Sequence, residues 1–236
     1  MTQAKLHLIP NILAENASHS IPNYIKDVVS ALDVFYVEEI RSARRFLKMM
    51  NKEIVIDNLQ FHMLNEHHRE SLSLAKGILQ QGISIGFLSE AGCPNIADPG
   101  QELAAIAHSI GIQVIPHIGP NSILLALMAS GFNGQQFQFL GYLPNKQPFL
   151  SQKIKEIEQE SKVKNCSQIF IETPYRNDQL IAELIKNTHP NTRLCVASNL
   201  TGEEELIVSR TIKEWKENPI SFHKKPAVFV LFAGQL

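Results

Sequence analysis

The 236-residue chain has little of what several protein classes require. Its cysteines, Cys93, Cys166 and Cys195, lack the close spacing of a zinc site or a disulfide framework, as is usual in the reducing cytosol. A formal net charge of −1 argues against broad, nonspecific nucleic-acid binding, although it leaves room for a local basic patch. No apolar run approaches the roughly 18 residues of a membrane span, and the N-terminus has no signal-peptide pattern. We therefore expect a cytoplasmic protein without a membrane segment.

Several short catalytic and binding motifs are also missing. The sequence has no G-x-G-x-x-G, no G-x-x-x-x-G-K-[ST] and no H-E-x-x-H, so a dinucleotide fingerprint, a phosphate-cradling loop and a zincin site are unsupported. His62, His67 and His68 are poorly spaced for two ligands of one metal, and a polar cluster at a helix start explains them better. We expect no metal site.

What the chain does have is an alternation of strand-like and helical patterns, which predicts βαβ units and a mostly parallel sheet. In the first half, strands are predicted at 5–9, 34–38, 84–88 and 113–116, with helices at 22–32, 42–51, 66–80 and 101–110. A Gly-Pro break at Gly119 then separates this series from a second one. The prediction is an α/β protein of two domains, residues 1–118 and 119–236.

The second series is also mixed. Its predicted strands are 137–142, 168–172, 193–198, 205–208 and 227–233, and its predicted helices are 122–130, 151–164, 174–188 and 213–217. The helix 122–130 is apolar almost all round, which predicts that it is buried.

The most informative segment is the loop that follows the strand-like run ending at Leu88. Between that run and the next helix lie two glycines, two prolines and two acids. Asp98 is well placed to cap the helix, with Pro99 as its first residue. A loop of this composition holds backbone N–H and C=O groups in a fixed shape, which is how α/β proteins hold the polar parts of a ligand. The alternative interpretation is that this loop is an ordinary tight turn that binds no ligand.

Segments that contain glycine or proline recur where predicted strands end, at 10–11, 90–100, 119–122, 141–144 and 172–176. In a parallel sheet several of them share one edge, where ligands bind. Cys93, inside the main loop, has no identifiable base beside it, so the sequence gives little support to a thiol nucleophile.

Positive charge is concentrated on one predicted helix. Arg41, Arg44, Arg45 and Lys48 follow helical spacing and share one face, which suits a polyanion or is a solvated helix surface. A separate arginine, Arg176, lies in the turn after Glu172, where it could bind a phosphate or form an ion pair with that glutamate.

Together these segments resemble the tetrapyrrole methylase superfamily, S-adenosylmethionine-dependent methyltransferases with two α/β domains. The resemblance is greatest to the branch that methylates a ribose 2′-hydroxyl of small-subunit ribosomal RNA. The segments that match its motifs, in chain order, are E-E-I-R from Glu38, S-E-A-G-C-P-N-I-A-D-P-G from Ser89, G-P-N-S from Gly119, A-L-M-A-S-G-F from Ala126, F-L-G-Y-L-P-N-K from Phe139, I-E-T-P-Y-R from Ile171 and N-L-T from Asn199.

The chain departs from that branch at several positions. The first loop keeps Pro10 but lacks the family's glycine, because Asn11 and Ile12 follow directly. Acidic positions of two motifs hold Glu39 and Glu90 instead of Asp, and Tyr175 replaces a His. Methyl transfer is therefore the firmer part of what the resemblance implies, and the substrate is the weaker part.

The resemblance implies a parallel-sheet N-terminal domain, a mixed-sheet C-terminal domain and S-adenosylmethionine bound between them. The residues expected to hold the cofactor are Pro10, Ala91, Gly92, Cys93, Asp98, Asn121 and Ser122. With ribosomal RNA as substrate, the phosphate contacts are expected from Arg41, Arg44, Arg45 and Arg176. A hydroxyl acceptor also needs a base, for which Glu39 and Glu172 are the candidates.

Two other functions fit the same residues. One is methylation of a tetrapyrrole or another small molecule. The other is a non-catalytic protein that binds S-adenosylmethionine or RNA, suggested by the missing glycine. The family also pairs into homodimers, and the aromatic residues Phe132, Phe137, Phe139, Tyr142 and Phe149 lie close together in sequence, so a homodimer is expected. The alternative is that the two domains of one chain cover these rings.

Overall fold

The computed structural model describes residues 4–64 and 69–235 of the chain, which divides into two compact units, Met1–Asn121 and Ser122–Leu236. The domain boundary predicted from sequence lies within a few residues of this division. The predicted helix start at residue 66, with His67 and His68, falls outside the described residues.

The first unit is built on a parallel five-stranded sheet. Its strands are β1 (Lys5–Ile9), β2 (Val34–Val37), β3 (Gln60–Met63), β4 (Ile85–Leu88) and β5 (Gln113–Pro116), in the order β3-β2-β4-β1-β5. Its helices are α1 (Ile25–Ser30), α2 (Ile40–Met50), α3 (Arg69–Gln80) and α4 (Gln101–Ser109). All four strand pairings are parallel, as the βαβ pattern predicts.

The two faces of this sheet have separate cores. On one face, Leu6 and Phe87 pack with residues of α3 and α4 such as Leu79 and Leu103. On the other face, α1 and α2 cover a second apolar cluster that includes Phe35. Since both faces are covered, the carboxyl-terminal edge of the strands is the place where this unit can present loops to a ligand.

The second unit contains a mixed five-stranded sheet. Its strands are β6 (Phe137–Tyr142), β7 (Ser167–Glu172), β8 (Arg193–Ser198), β9 (Leu206–Thr211) and β10 (Ala227–Phe232), in the order β6-β7-β10-β8-β9. Only the β6–β7 pair is parallel. Its helices are α5 (Ser122–Ser130), α6 (Phe149–Lys164), α7 (Asn177–Asn187) and α8 (Ile212–Glu217). The core lies on the face that carries Phe170 and Phe229, beneath α6, α7 and α8.

Apart from shifts of a few residues in element bounds, four details differ from the sequence predictions. Strand β3 was not predicted, because it lies at the sheet edge and carries little apolar sequence. Helix α4 begins at Gln101 with Gly100 as its N-cap, because Asn95, Ala97 and Gly100 all have positive φ, so Asp98 does not cap it.

The other two differences lie in the second unit. Helix α5 was predicted to be buried all round, but Met128 is 79% exposed and Leu124 is also exposed. Helix α7 begins at Asn177 and not at residue 174, because a separate turn precedes it in which the Arg176 N–H donates to the Thr173 carbonyl oxygen. Among the described residues, no helix combines the length and apolarity needed to cross a bilayer.

Candidate active site

The loops after β1 and β4 are joined where the two neighbouring strands end. The Asn11 N–H donates to the Gly92 carbonyl oxygen at 2.8 Å, and the Gly92 N–H donates back to the Asn11 carbonyl oxygen at 3.1 Å. The buried Asn11 side chain adds two more bonds, from Nδ2 to the carbonyl oxygens of Ser89 (3.1 Å) and Glu90 (3.0 Å). Its Oδ1 accepts the Ile12 N–H at 2.8 Å, so every polar group of this side chain is used to fix the loops.

The loop after β5 is held against the loop after β1 by close packing. A Cβ placed on Gly119 would lie 2.1 Å from Pro10 Cβ, a distance that only glycine avoids at this position. The Cys93 thiol donates to the Pro120 carbonyl oxygen at 3.4 Å. Burial raises the pKa of this thiol, and a hydrogen bond with Asn121 acts in the opposite direction. A thiol in this state is a poor nucleophile, which agrees with its bonding role.

Two histidines and a tyrosine support the start of the same loop. His7 Nδ1 and His117 Nε2 lie 3.0 Å apart, and the Tyr24 hydroxyl oxygen accepts the Ile118 N–H at 3.0 Å. Burial, with smaller contributions from His117 and Lys5, lowers the pKa of His7 to about 4. Burial also lowers the pKa of His117, so both rings are neutral at physiological pH. Sequence reasoning missed this pair, since the two histidines are far apart in the chain.

Carboxylates gather beside the loop after β4. Glu38, directly after β2, accepts the Glu90 N–H at 2.9 Å through Oε2. Burial raises the pKa of Glu38, and the nearby acids Asp98 and Glu90 add to the shift, while the Glu90 N–H acts against it. Burial also raises the pKa of Asp98, although a hydrogen bond with Ser89 lowers it in part. Sequence reasoning missed Glu38 as a site residue; an acid directly after a fully buried strand was the available signal.

A pocket of about 440 Å³ opens next to this cluster. Its walls come from the first loop, from one side of α2 and from the loop after β4: residues 11–16, Ser42, Arg45, Phe46, Met49, Glu90 and Ala91. Apolar side chains beside one guanidinium, that of Arg45, and two carboxylates, those of Glu15 and Glu90, are the composition of a small-ligand site.

The basic face of α2 is exposed, as predicted, but its members have different surroundings. Arg45 lines the pocket, whereas the Arg44 guanidinium lies 5.4 Å from the ring centre of Phe61 on β3. The Lys48 ammonium donates to the Lys52 carbonyl oxygen at 3.0 Å, near the C-terminal end of the helix. Arg41 is exposed in the first turn.

Both carboxylates predicted as bases have other partners. Glu39 caps α2, accepting the N–H groups of Arg41 (2.9 Å) and Ser42 (2.7 Å), and these bonds lower its pKa. Glu172, in the second unit, accepts the Thr173 N–H at 2.7 Å and pairs with Arg176 at 3.0 Å. Arg176 therefore forms the ion pair with Glu172 that the sequence analysis gave as one of its two possible roles. Ser122 is the first residue of α5 and also belongs to the second unit.

Among residues 4–64 and 69–235, no group of three or more His, Cys, Asp or Glu side chains is arranged to hold a metal ion. The three cysteines are free thiols.

Residues 22–216 match the family model described as tetrapyrrole (corrin/porphyrin) methylases. The chain belongs to this family. A second line of similarity comes from ribosomal RNA small subunit methyltransferase I of Vibrio cholerae serotype O1, which is 31% identical over 188 residues. That alignment covers 80% of this chain and 62% of the relative. The enzyme of the same name from Bacillus subtilis strain 168 is 33% identical over 190 residues, which cover 80% of this chain and 61% of the relative. The chain spans less than two thirds of both relatives.

Solved structures of methyltransferases share the fold. The methyltransferase CobJ has a TM-score of 0.64 at 13% identity, with 97% of this chain and 94% of that chain covered. The uroporphyrin-III C-methyl transferase of Thermus thermophilus, solved with S-adenosyl homocysteine, has a TM-score of 0.58 at 12% identity, with 97% of both chains covered. These comparisons confirm the predicted family, its two-sheet α/β fold and the S-adenosylmethionine dependence of its members.

Proposed function

We propose that this tetrapyrrole methylase family member transfers a methyl group from S-adenosylmethionine to a ribose 2′-hydroxyl of small-subunit ribosomal RNA. The observation that supports this most is that hydrogen bonds and close packing hold together the loops after β1, β4 and β5. These loops present preorganised backbone groups beside a pocket that contains Arg45. Methyl transfer is an in-line displacement at a sulfonium methyl, for which alignment is the main requirement.

For the cofactor, we propose contacts from the loop residues of the first unit. Ala91 and Asp98 have surface available on the loop after β4, and Asn121 follows the Gly119–Pro120 turn. Pro10, Gly92 and Cys93 are proposed to position these loops, since their backbone or side chains already contact neighbouring loops. Ser122 is kept as a cofactor candidate by resemblance alone.

For the base, we favour Glu38 over the carboxylates proposed from sequence. A base must lose its proton near neutral pH yet bind the substrate proton well, and a carboxylate does so only when its environment raises its pKa. Glu38 meets this condition, whereas capping lowers the pKa of Glu39. Glu172 is occupied by Arg176 and the Thr173 N–H.

For the substrate, we propose that the exposed face of α2, with Arg41, Arg44 and Arg45, contacts RNA phosphates. Relatives at about 30% identity that are named ribosomal RNA methyltransferases favour RNA over a tetrapyrrole. A non-catalytic role has less support, because Asn11 fixes the first loop although the family's glycine is missing. An RNA substrate also implies the cytoplasm as the compartment.

We further propose a homodimer formed through the second unit. Its exposed apolar side chains include Met128 of α5, Phe137 and Tyr142 of the edge strand β6, and Phe149 at the start of α6. A second copy would cover this apolar area and the unpaired edge of β6. Light scattering at micromolar protein should give a mass near twice the 26.5 kDa chain; a mass near 26.5 kDa would remove the dimer.

Two measurements test the activity itself. Calorimetry with S-adenosyl homocysteine should show binding, and the absence of binding at millimolar ligand would contradict the cofactor assignment. Radiolabelled S-adenosylmethionine should then label the RNA of small ribosomal subunits from a strain that lacks the gene. Binding without labelling would favour the non-catalytic role, and labelling of an added tetrapyrrole instead would favour the small-molecule role.

A further inference from the structure

Tyr175 is one of the most exposed large side chains of the second unit, with 70% of its surface accessible. It lies in the turn between β7 and α7, where the sequence motif of the resembled branch has a histidine. The ring of His223 meets the Tyr175 ring edge-on, with centroids 6.0 Å apart and planes 76° to one another. An edge-on neighbour steadies an aromatic ring and leaves a flat face of it open.

The turn that carries Tyr175 and the loop that carries His223 are held together by hydrogen bonds. The Lys224 N–H donates to the Pro174 carbonyl oxygen at 2.9 Å. The buried Asn177 side chain donates from Nδ2 to the carbonyl oxygens of Phe222 at 3.1 Å and Lys225 at 2.7 Å.

Asp178, a second residue of α7, also binds the loop that carries His223. Asp178 accepts the Ser221 hydroxyl at 2.6 Å through Oδ2 and the Phe222 N–H at 2.7 Å through Oδ1. These bonds fix the backbone on both sides of His223, so the two aromatic rings are presented by a preorganised surface.

Two lysines follow His223 directly in the chain. Lys224 is exposed and Lys225 is half-buried, and neither ammonium forms an ion pair or hydrogen bond with the residues that the structure describes. Arg176, by contrast, is held by Glu172. Of the nearby cations, the two lysines are therefore the ones available for a new anionic partner.

An open aromatic face with free cations next to it in the chain suits a nucleotide of a single strand, because any base can stack on a ring while lysines contact the adjacent phosphates. We propose that Tyr175 and His223 form a stacking platform for one unpaired RNA base, with Lys224 and Lys225 as its phosphate contacts. This inference rests on the proposed RNA substrate and assigns it a contact surface in the second unit. It also moves the phosphate contact predicted for Arg176 to the two lysines.

Photocrosslinking tests the stacking directly. A single-stranded oligouridylate of about ten nucleotides, long enough for a typical single-strand site, carries 5-iodouridine, which crosslinks to stacked aromatic side chains on irradiation. Mass spectrometry of the full-length protein should find the crosslink on Tyr175 or His223. A crosslink confined to other aromatic residues would overturn the platform.

Affinity of the same oligonucleotide for variants gives an independent test. Tyr175→Phe keeps the ring and should bind like the wild type, whereas Tyr175→Leu keeps apolar bulk without a ring and should weaken binding by about 5- to 100-fold. Since the side chain is exposed, both variants should unfold at the wild-type temperature. Equal affinity of the Leu and Phe variants would refute stacking.

Two variants that each remove one positive charge test whether Lys224 contacts the RNA. Lys224→Ala should weaken binding and flatten its salt dependence, whereas Lys186→Ala removes an exposed ammonium from the opposite end of α7 and should change neither. Equal effects of the two variants would show nonspecific charge attraction only. Because these readouts measure RNA contact, failure of methyl transfer would refute the proposed activity without deciding the platform.

Discussion

Asn11 and Gly92 exchange two backbone hydrogen bonds, at 2.8 Å and 3.1 Å, and so join the ends of two neighbouring strands. The pair forms an isolated antiparallel bridge between loops of an otherwise parallel sheet. Gly92 has a φ of +72°, which favours glycine, and a Cβ there would lie 3.2 Å from Leu13 Cδ2. The geometry of the loop after β4 therefore depends on the first loop.

Replacing Asn11 by Ala should loosen both loops. The change leaves the carbonyl oxygens of Ser89 and Glu90 without their donor, which costs about 1–3 kcal/mol when the groups stay buried. Urea denaturation should show that loss in the free energy of unfolding, and calorimetry should show weaker binding of S-adenosyl homocysteine. Asn23→Ala, at an exposed asparagine, is the matched control and should change neither. Wild-type cofactor affinity in Asn11→Ala would show that the bridge does not support the cofactor site.

Gly119→Ala should disturb the site through a steric clash. The added Cβ would meet Pro10 at 2.1 Å, so the loops after β1 and β5 must separate, and overpacking of this kind costs about 1–3 kcal/mol. Gly77→Ala provides the control, because this glycine lies within α3 with no heavy atom within 4 Å of an added Cβ. That variant should be about 0.5–1 kcal/mol more stable than the wild type. If Gly119→Ala matches the wild type in stability and cofactor affinity, the close approach is dispensable.

The basic face of α2 should contribute to RNA binding without affecting the cofactor. The double variant Arg44→Ala with Arg45→Ala should bind RNA less tightly and show a flatter salt dependence, because each lost phosphate contact lowers the slope by about 1. Of the single variants, Arg45→Ala should have the larger effect, since Arg45 lines the pocket while Arg44 lies over Phe61. Equal loss of cofactor affinity would place these arginines in the cofactor site instead.

Glu38→Gln should lower turnover by about 10²- to 10⁴-fold, the usual contribution of a general base, with cofactor affinity retained. The wild-type rate should rise with pH as Glu38 ionises, in a range above that of an ordinary glutamate because burial raises its pKa. The matched control Glu39→Gln should mainly weaken the α2 cap, because the neutral amide oxygen accepts the Arg41 and Ser42 N–H groups less strongly than the carboxylate does. A larger loss of turnover in Glu39→Gln would identify Glu39 as the base.

The Glu38→Gln variant also has a predicted effect on the free energy of unfolding. Folding raises the pKa of Glu38, so the folded state is favoured below the unfolded pKa and loses that advantage as the pH rises through the folded pKa. At neutral pH the uncharged Gln should therefore be at least as stable as Glu. A marked loss of stability there would show that ionised Glu38 is needed for packing.

Sequence patterns predicted most elements of this fold because hydrophobic periodicity decides which faces are buried. Strands β1, β5, β6 and β8 and helix α5 have the predicted bounds. The exposed side of α5 was not predictable in this way, since an apolar sequence does not show which residues a fold leaves uncovered.

The site was predictable to the level of loops but not of contacts. Glycines and prolines indicated where strands end, and the parallel sheet then brought those ends together. The roles of Asn11, Glu38 and His117 depend on partners distant in the chain, so no local pattern contains them. The N-cap of α4 is Gly100, with a φ of +119°, and not Asp98, because the loop before the helix adopts a conformation that the sequence pattern does not indicate.

Mapping ribose methylation of small-subunit ribosomal RNA by mass spectrometry tests the central claim most directly. RNA from a strain that lacks the gene is compared with RNA from the same strain carrying the wild-type gene or the Glu38→Gln variant. We predict that a 2′-O-methyl group of the parent is missing in the deletion strain, returns with the wild-type gene and stays missing with the variant. A methylation map that is unchanged by the deletion would contradict the proposed function.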